Sequence, residues 1–497
     1  MGEQTPRLAL LRLSGEIGIK ARATRMQFRK RLVHNLRDAL ASSGLPPRIE
    51  VSHDRLYASL PAHTPIEDHA LARVFGVSSL SLVERHPITA LADIVRMGAA
   101  QFADAVRGRT FAVRARRVGR REATTANGRE VERQLGALLL PHALGVDLDE
   151  PEVTVRLELT EHDTSFFTER AQGPCGLPLG VEGRAVSLLS GGFDSAVATW
   201  QIQKRGVECD LVFCNLGGPA HLREVLRVAA HLATRWSYGS QPRLFAIDFE
   251  PVAAALQAYT TKRYWQILLK RQMLRAAEAI ALELGASAIV TGDAVGQVSS
   301  QTLPNLDVVS RATPLTVLRP LVGFDKSEIM DRARAIGTYA LSEAVGEYCS
   351  LVPSKPATQA RLDAVLAEEA RLVDDPLRAA LATRSVFDLR SLDPAVFDDE
   401  GLAVEALPAD AVLVDLRPLE QYRSGHHPSA LHLDFASALA AWPSFDRARR
   451  YVIVCEFGLL SAQLADQMRR AGFRVHHFRG GQRALMRRIA DGSRPAG

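Results

Sequence analysis

Hydrophobic and polar positions follow three different rhythms along the chain. Between residues 7 and 170, short β-rich runs (RLALLRL, TFAVRARR, EVTVRLEL) are interleaved with helical periods at 22–42, 88–106 and 129–140. That mixture predicts an α+β region. A Gly/Pro-rich joint, GPCGLPLG at 173–180, breaks the pattern and marks a domain boundary. Beyond it strands and helices alternate strictly: AVSLL, CDLVFCNL, RLFAIDF and AIVTG, with helical patterns near 195–205, 220–237, 264–284 and 325–336. Such alternation predicts a parallel sheet with helices on both faces. Residues 357–407 read as a charged, partly helical connector, and a smaller α/β pattern follows at about 408–490, with strands AVLVDLR and YVIVCE.

Composition adds bounds. A chain of 497 residues accommodates about three domains. With 47% hydrophobic and 24% charged residues it is ordinarily globular. No apolar run reaches the roughly 18 residues of a membrane span, so no membrane contact is expected. The start, MGEQTPRLALLRLSGEIGIK, lacks the apolar core of a signal peptide. Five cysteines (Cys175, Cys209, Cys214, Cys349, Cys455) are too few for a disulfide framework. These features predict a soluble, cytoplasmic protein with reduced thiols.

The net charge of +5 is mild but unevenly placed. Seven Lys/Arg and no acid lie between Lys20 and Arg37, and seven Arg and no acid between Arg107 and Arg121. Paired clusters of this kind are footprints of phosphate-backbone binding. The fourteen histidines show no metal-ligand spacing, so no structural zinc is expected.

Residues 187–195 read SLLSGGFDS and open a helix directly after an apolar strand. Gly191 and Gly192 let the backbone approach an anion. Ser190, Ser195 and the helix amides can donate to phosphate oxygens. Asp194 suits Mg²⁺ held against a pyrophosphate better than it suits phosphate itself. The pattern is neither GxxxxGK[ST] nor GxGxxG.

SGGxDS after a strand resembles the PP-loop of the ATP pyrophosphatase superfamily, which splits ATP between its α and β phosphates and adenylates a substrate oxygen. The segments GEIGIK, RAQGPCGLPLG, NLGGPAH, ILLKRQMLRAA, VTGDAVGQVSSQTLPNL, LRPLVGFDKSEI and GEYCSLVPSKP extend the likeness through nearly the whole chain. Together, and in this order, they resemble the tRNA 4-thiouridine synthetase (tRNA sulfurtransferase) family. The resemblance implies an α/β multidomain protein. Its parts would be a ferredoxin-like domain (1–62) and a THUMP RNA-binding domain (63–172), together α+β, then a doubly wound parallel-sheet PP-loop domain (173–356), a linker (357–407) and a small α/β rhodanese domain (408–497). THUMP domains grip the tRNA acceptor end. Both basic clusters fall in that region, which makes Lys20, Arg22, Arg25, Arg29, Lys30, Arg114, Arg116, Arg117 and Arg120 candidate tRNA contacts. ATP contacts are implied near Leu188, Leu189, Lys270, Gly292 and Gln301, with the loop residues Ser190, Gly191, Gly192, Asp194 and Ser195. Asp194 and Lys326 match positions the family needs for activation. One departure is Cys175, where the family usually has Gly; a tolerated, buried small thiol is expected there.

The stretch VIVCEFGLLS places Cys455 at a strand end before a helical pattern, as an exposed thiol whose anionic form loop amides and the helix dipole would stabilise. Upstream, VDLRPLEQYRSGHHPSALHL resembles the DxR…E(Y/F)…GHxPxA signature of rhodanese domains, and GFRVHHFRGGQ their last strand and Gly-Gly turn. Cys455 then corresponds to the persulfide-forming cysteine. Glu456 and Phe457 stand where a basic residue would attract thiosulfate, which favours a protein persulfide donor. In this family the cysteine of the EYC motif, here Cys349, pairs with the rhodanese cysteine. Cys209 and Cys214 lie in an apolar strand and read as core.

The resemblance implies ATP-dependent sulfur transfer to uridine at position 8 of tRNA, with ATP and Mg²⁺ at the loop. Partners would be tRNA, a cysteine desulfurase as sulfur donor, a cellular reductant and, through thiamin thiazole synthesis, a ThiS-like sulfur carrier. A sulfur carrier acting without tRNA adenylation is the alternative; it predicts transfer without ATP. A wobble-uridine thiolase would lack the rhodanese domain, and a non-enzymatic tRNA binder would not need SGGFDS.

Overall fold

The run RLALLRL forms strand β1 (Arg7–Leu13), whose side chains point alternately to opposite faces of a sheet. Ala9 and Leu11 pack with Phe28, Leu32 and Leu36 of the helix Arg22–Ser42, while Leu10 lies with Tyr57 and Val83 on the other face. The computed structural model describes residues 7–52, 55–61, 65–67, 69–87, 90–118, 127–345, 355–397, 401–456 and 458–490.

The chain divides into two units: Met1–Glu182 with Gln203–Val207 and Arg235–Ser240, and the remainder. The first unit is built on a mixed nine-stranded sheet. Its strands are β1, β2 (Glu50–Ser52), β3 (Arg55–Leu60), β4 (Val77–Pro87), β5 (Thr110–Arg117), β6 (Gly145–Val146), β7 (Val153–Leu159), β8 (Asp163–Phe167) and β9 (Ala171–Gln172). They run in the order β2-β3-β1-β4-β8-β7-β5-β6, with β9 on β4. The long β4 pairs with β1 through its first part and with β8 through Glu84–Pro87, so one strand joins both halves. Helices Leu91–Phe102 and Gly128–Leu139 cover the second half over Phe111, Val155 and Phe166. The first is shorter than the 88–106 period suggested. Buried Glu158 of β7 ties the halves together, bonding Arg12 of β1 and Arg55 of β3, each at 2.5 Å. A buried carboxylate is tolerable only with such partners.

The second unit holds two sheets. The larger contains β10 (Arg184–Leu188), β11 (Glu208–Asn215), β12 (Arg243–Asp248), β13 (Ala288–Val290), β14 (Thr316–Leu318) and β15 (Ser385–Asp388), in the order β14-β13-β10-β11-β12-β15. The first five are parallel. β15 is antiparallel to β12 and comes from the 357–407 connector. The connector also supplies the helix Leu362–Glu369, whose Glu369 bonds Arg271 at 2.8 Å and Arg275 at 2.7 Å. The core packs Ile267, Leu268, Leu274 and Ala277 of the helix Trp265–Leu284 against Val186, Val212, Phe245 and Ile289 of the sheet. Strands buried on both faces read as continuous apolar runs, as AVSLL and CDLVFCNL do.

The smaller sheet is wholly parallel, with β16 (Ala403–Val404), β17 (Ala411–Asp415), β18 (Leu431–His432), β19 (Arg450–Val454) and β20 (Arg474–Phe478) in the order β16-β20-β19-β17-β18. No helix among the described residues is long and apolar enough to cross a membrane.

Cys175 departs from its expectation. It is exposed, not buried, with a left-handed backbone at φ +58°. Its N–H and C=O are held by Val77 O and Gly76 N, so the chain extends the β4 edge and turns the thiol outward. A side chain in that conformation costs about 1–2 kcal/mol, a cost that glycine would not carry. Cys209 and Cys214 are buried in β11, as expected, and burial pushes both thiols far up.

Candidate functional site

β10 ends at Leu188 and the helix Phe193–Gln203 follows, so SLLSGGFDS is a strand–turn–helix. Ser195 Oγ closes the turn: it accepts from Ser190 N and donates to Gly192 O, both at 3.1 Å, and lies 3.2 Å from Ser190 Oγ. Gly292 backs the loop. A Cβ there would stand 2.8 Å from Asp194 C and Ser195 N, so only glycine permits this approach. Leu188, Ser190, Asp194, Ser195, Lys270, Gly292 and Gln301 line one pocket of about 260 Å³. Met273, Leu274 and Val309 add an apolar wall. Leu189, Gly191 and Gly192 are not in that lining; Leu189 is buried, its N–H bonded to Val212 O at 2.9 Å.

The pocket floor is organised by Asp293, which sequence reasoning missed. Its Oδ1 accepts from Lys270 Nζ at 2.7 Å and Gln301 Nε2 at 3.2 Å. Its Oδ2 accepts from Thr291 Oγ1 at 2.8 Å and Arg319 Nε at 3.2 Å. Burial alone would raise this carboxyl, but Lys270, Thr291 and Arg319 outweigh it and bring it down to about 2. Asp293 therefore stays ionised and fixes two cations at the pocket. Behind the loop, His221 is buried edge-on to Phe213, with ring centroids 4.8 Å apart. Burial lowers it to about 4 against a hydrogen bond with the Ser190 backbone, so the ring is neutral at pH 7. Asp293, Arg319 and His221 sit inside TGDAVGQ, LRPLVGF and NLGGPAH, segments whose likeness carried no role for them.

Asp194 and Lys326, far apart in sequence, meet. Lys326 Nζ lies 2.8 Å from Asp194 Oδ1, and Gln297 Nε2 donates to Oδ2 at 2.9 Å. Lys326 is the first residue of the helix Lys326–Ile336, whose capping box joins Asp325 and Glu328. A cation in a first helical turn opposes the helix dipole. Breaking that rule is characteristic of a functional position, and the Asp194 pair offsets it. Each Asp194 oxygen retains a second lone pair. One carboxylate with phosphate oxygens is a usual Mg²⁺ environment, so the residues fit that ion beside a bound phosphate chain. Among the described residues no group of three or more His, Cys, Asp or Glu could cage a metal by itself.

In the smaller sheet, Cys455 follows β19 and precedes the helix Leu459–Arg470. It is 4% exposed, not the open thiol its loop position suggested. Gly458 N and Ser461 N point at Sγ from 3.2 and 3.4 Å, and Ser461 Oγ lies 3.4 Å away. Folding the loop around its own sulfur buries it and supplies donors to an anionic form. Gly481, at φ +66°, closes the other side: a Cβ would meet Cys455 O at 2.4 Å and Gly458 N at 2.5 Å. Phe457 and Cys349 lie outside the described residues.

The first basic cluster lines a second cavity, of about 500 Å³, where Arg22, Arg25 and Arg29 face Ser14 and Arg55. Lys30 is exposed, and Lys20 Nζ stands over the Phe28 ring at 5.8 Å. Arg31 instead turns inward to Leu179 O and Gly239 O. Arg114, Arg116 and Arg117 are exposed on β5, and Arg114 Nη2 donates to Leu148 O at 2.6 Å. Arg120 lies outside the described residues.

Three family models match successive parts of the chain. The family described as thiamine biosynthesis protein (ThiI) matches residues 180–373, its ferredoxin-like domain matches 8–81, and the rhodanese-like domain matches 402–487. The tRNA sulfurtransferase of Desulfurococcus amylolyticus is 35% identical, over 95% of this chain and 97% of its own length. That of Pyrobaculum aerophilum is 36% identical, over 94% and 95%. Among solved structures, a 4-thiouridine synthetase in complex with RNA and bound ATP aligns at a TM-score of 0.67 and 29% identity. The alignment covers 77% of this chain and 99% of that one.

Proposed function

The chain belongs to the tRNA sulfurtransferase family, and on that premise we propose that it makes 4-thiouridine at position 8 of tRNA from ATP and persulfide sulfur. The observation that carries this is the pocket in which Ser190, Asp194, Ser195, Lys270, Gly292 and Gln301 converge behind the SGGFDS turn. ATP would lie there, its base against Met273, Leu274 and Val309 and its phosphates over the loop amides. Bound Mg²⁺, held by Asp194 and the phosphates, would neutralise charge on the pyrophosphate.

The chain's own groups divide the work. Lys270, fixed by Asp293, and Lys326, fixed by Asp194, present two ammonium groups to the phosphates, where charge builds as the bond to pyrophosphate breaks. Uridine O4 attacks the α-phosphorus and pyrophosphate leaves, which converts a poor leaving group into AMP. The terminal sulfur of a Cys455 persulfide then attacks C4 and AMP departs, leaving uridine C4 joined to Cys455 through a disulfide. Cys349 thiolate attacks Cys455 Sγ, releasing 4-thiouridine and forming a Cys349–Cys455 disulfide. A cellular reductant supplies two electrons to reopen it, and a cysteine desulfurase reloads Cys455. The basic cavity at Arg22, Arg25 and Arg29 and the Arg114–Arg117 strand would hold tRNA phosphates. Cytoplasmic location, and sulfur delivery toward thiamin thiazole through a ThiS-like carrier, accompany this proposal.

Incubation with tRNA, Mg-ATP, cysteine and a cysteine desulfurase, followed by nucleoside mass spectrometry, tests it. We expect 4-thiouridine at position 8. Its absence from a folded, ATP-binding preparation contradicts the proposal.

A further inference from the structure

Four charged groups meet at the residue that follows Cys455. Asp415, fully buried at the end of β17, grips Arg417 through Nε to Oδ1 at 3.0 Å and Nη2 to Oδ2 at 2.8 Å. Arg417 Nη1 faces Glu456 Oε2 at 3.6 Å. From the helix Gly481–Ala490, Arg483 Nε reaches Glu456 Oε1 at 2.8 Å. Each Arg thus holds one oxygen of the same carboxylate. Asp415, Arg417, Glu456 and Arg483 sum to zero; without Glu456 the same cluster carries +1.

Two guanidinium groups converging on two oxygens, next to backbone N–H donors aimed at a sulfur, make a seat for a small oxyanion. Here the chain fills the seat itself. The occupant is the residue after the reactive cysteine, and its side chain is only 28% exposed. A dianion drawn to these two arginines would have to displace Glu456 or sit against its charge.

We propose that Glu456 is a specificity-determining residue. Its carboxylate occupies the anion seat between Arg417 and Arg483, bars small dianionic sulfur donors of the thiosulfate class from Cys455, and so leaves sulfur loading to a persulfide presented by a protein. The inference rests on Cys455 being the sulfur carrier. In the excluded reaction Cys455 thiolate attacks the outer sulfur of thiosulfate, the S–S bond breaks and sulfite leaves with the electron pair. Cyanide then takes the outer sulfur of the persulfide as thiocyanate and restores the thiolate. No further oxidant or reductant is needed.

The test is thiocyanate formation from thiosulfate and cyanide by the full chain. Wild type should turn over near the level of Cys455→Ala. Glu456→Gln should raise kcat/KM for thiosulfate by about tenfold or more, since a locally positive site raises the encounter rate of an anion by that order. Adding Arg483→Ala to Glu456→Gln should remove most of the gain, and sulfate should compete with thiosulfate in Glu456→Gln. Glu456→Ser, a smaller replacement, gives the same readout if Glu456→Gln does not fold. Unchanged thiosulfate turnover in both folded variants overturns the inference, as does a gain insensitive to Arg483. Failure of the underlying premise looks different: wild type incubated with the cysteine desulfurase and cysteine would then show no added sulfur mass on the Cys455 peptide.

Discussion

Lys326 Nζ lies 2.8 Å from Asp194 Oδ1, joining the first residue of one helix to the first turn of another. The Asp194 pair offsets the local cost of a lysine that opposes its own helix dipole, while placing an ammonium beside the SGGFDS turn. Lys326→Ala should therefore leave the unfolding free energy within about 0.5 kcal/mol of wild type. Pyrophosphate release in the presence of tRNA should fall by about 10²–10³. Calorimetry and a pyrophosphate assay on the same preparation check both halves. A large loss of stability with activity retained would contradict this role.

Asp293 gives a pH signature. Its carboxyl is held down at about 2 in the folded chain against an ordinary 3.8. A depressed carboxyl contributes stability that is complete above the unfolded value and is lost as pH falls through the folded one. The difference is worth about 2 kcal/mol. Asp293→Asn should lower stability by at least that order at pH 6, because Lys270 and Arg319 also lose their partner. The gap from wild type should narrow between pH 4 and 2. Denaturant titrations across that range measure it.

Much of this arrangement was legible from the chain and some was not. The AVSLL run and the paired glycines mark a strand–turn–helix because a buried parallel strand is apolar on both faces and glycine follows where backbone must approach an anion. β15 escaped notice: SVFD at 385–388 is four residues long, too short for a period, and its pairing with β12 is set by tertiary contact. Asp293 escaped because its partners come from three other places, Lys270, Gln301 and Arg319, and no local spacing announces such a hub. The burial of Cys455 was equally hidden, since it arises from Gly458 and Ser461 amides folding onto the sulfur.

Gly481→Ala should disable the cysteine loop alone. The added Cβ would fall within 2.6 Å of three backbone atoms, Cys455 O, Gly458 N and Glu456 O, and backbone cannot swing aside as a side chain can. Sulfur loading on Cys455, read by mass after exposure to the desulfurase and cysteine, should drop by at least about tenfold. ATP binding, read by calorimetry, should remain. Equal loss of both would show that the lesion is global unfolding.

Arg25→Ala and Arg29→Ala should weaken tRNA binding without changing kcat at saturating tRNA. Each lost phosphate contact should reduce the slope of log K against log salt by roughly 0.7–0.9. A filter-binding series in salt supplies that slope. Unchanged slopes would remove the cavity at Arg22, Arg25 and Arg29 from the RNA surface.

The central claim is that sulfur on Cys455 reaches tRNA only after ATP has activated the uridine. A single-turnover experiment tests it most directly: protein carrying ³⁵S persulfide on Cys455 is mixed with tRNA, with or without Mg-ATP, and label in 4-thiouridine is counted. We expect transfer with ATP, accompanied by one AMP per labelled nucleoside, and none without ATP or in Asp194→Ala. Label in tRNA without ATP, or undiminished in Asp194→Ala, would contradict the account and favour a sulfur carrier that needs no adenylation.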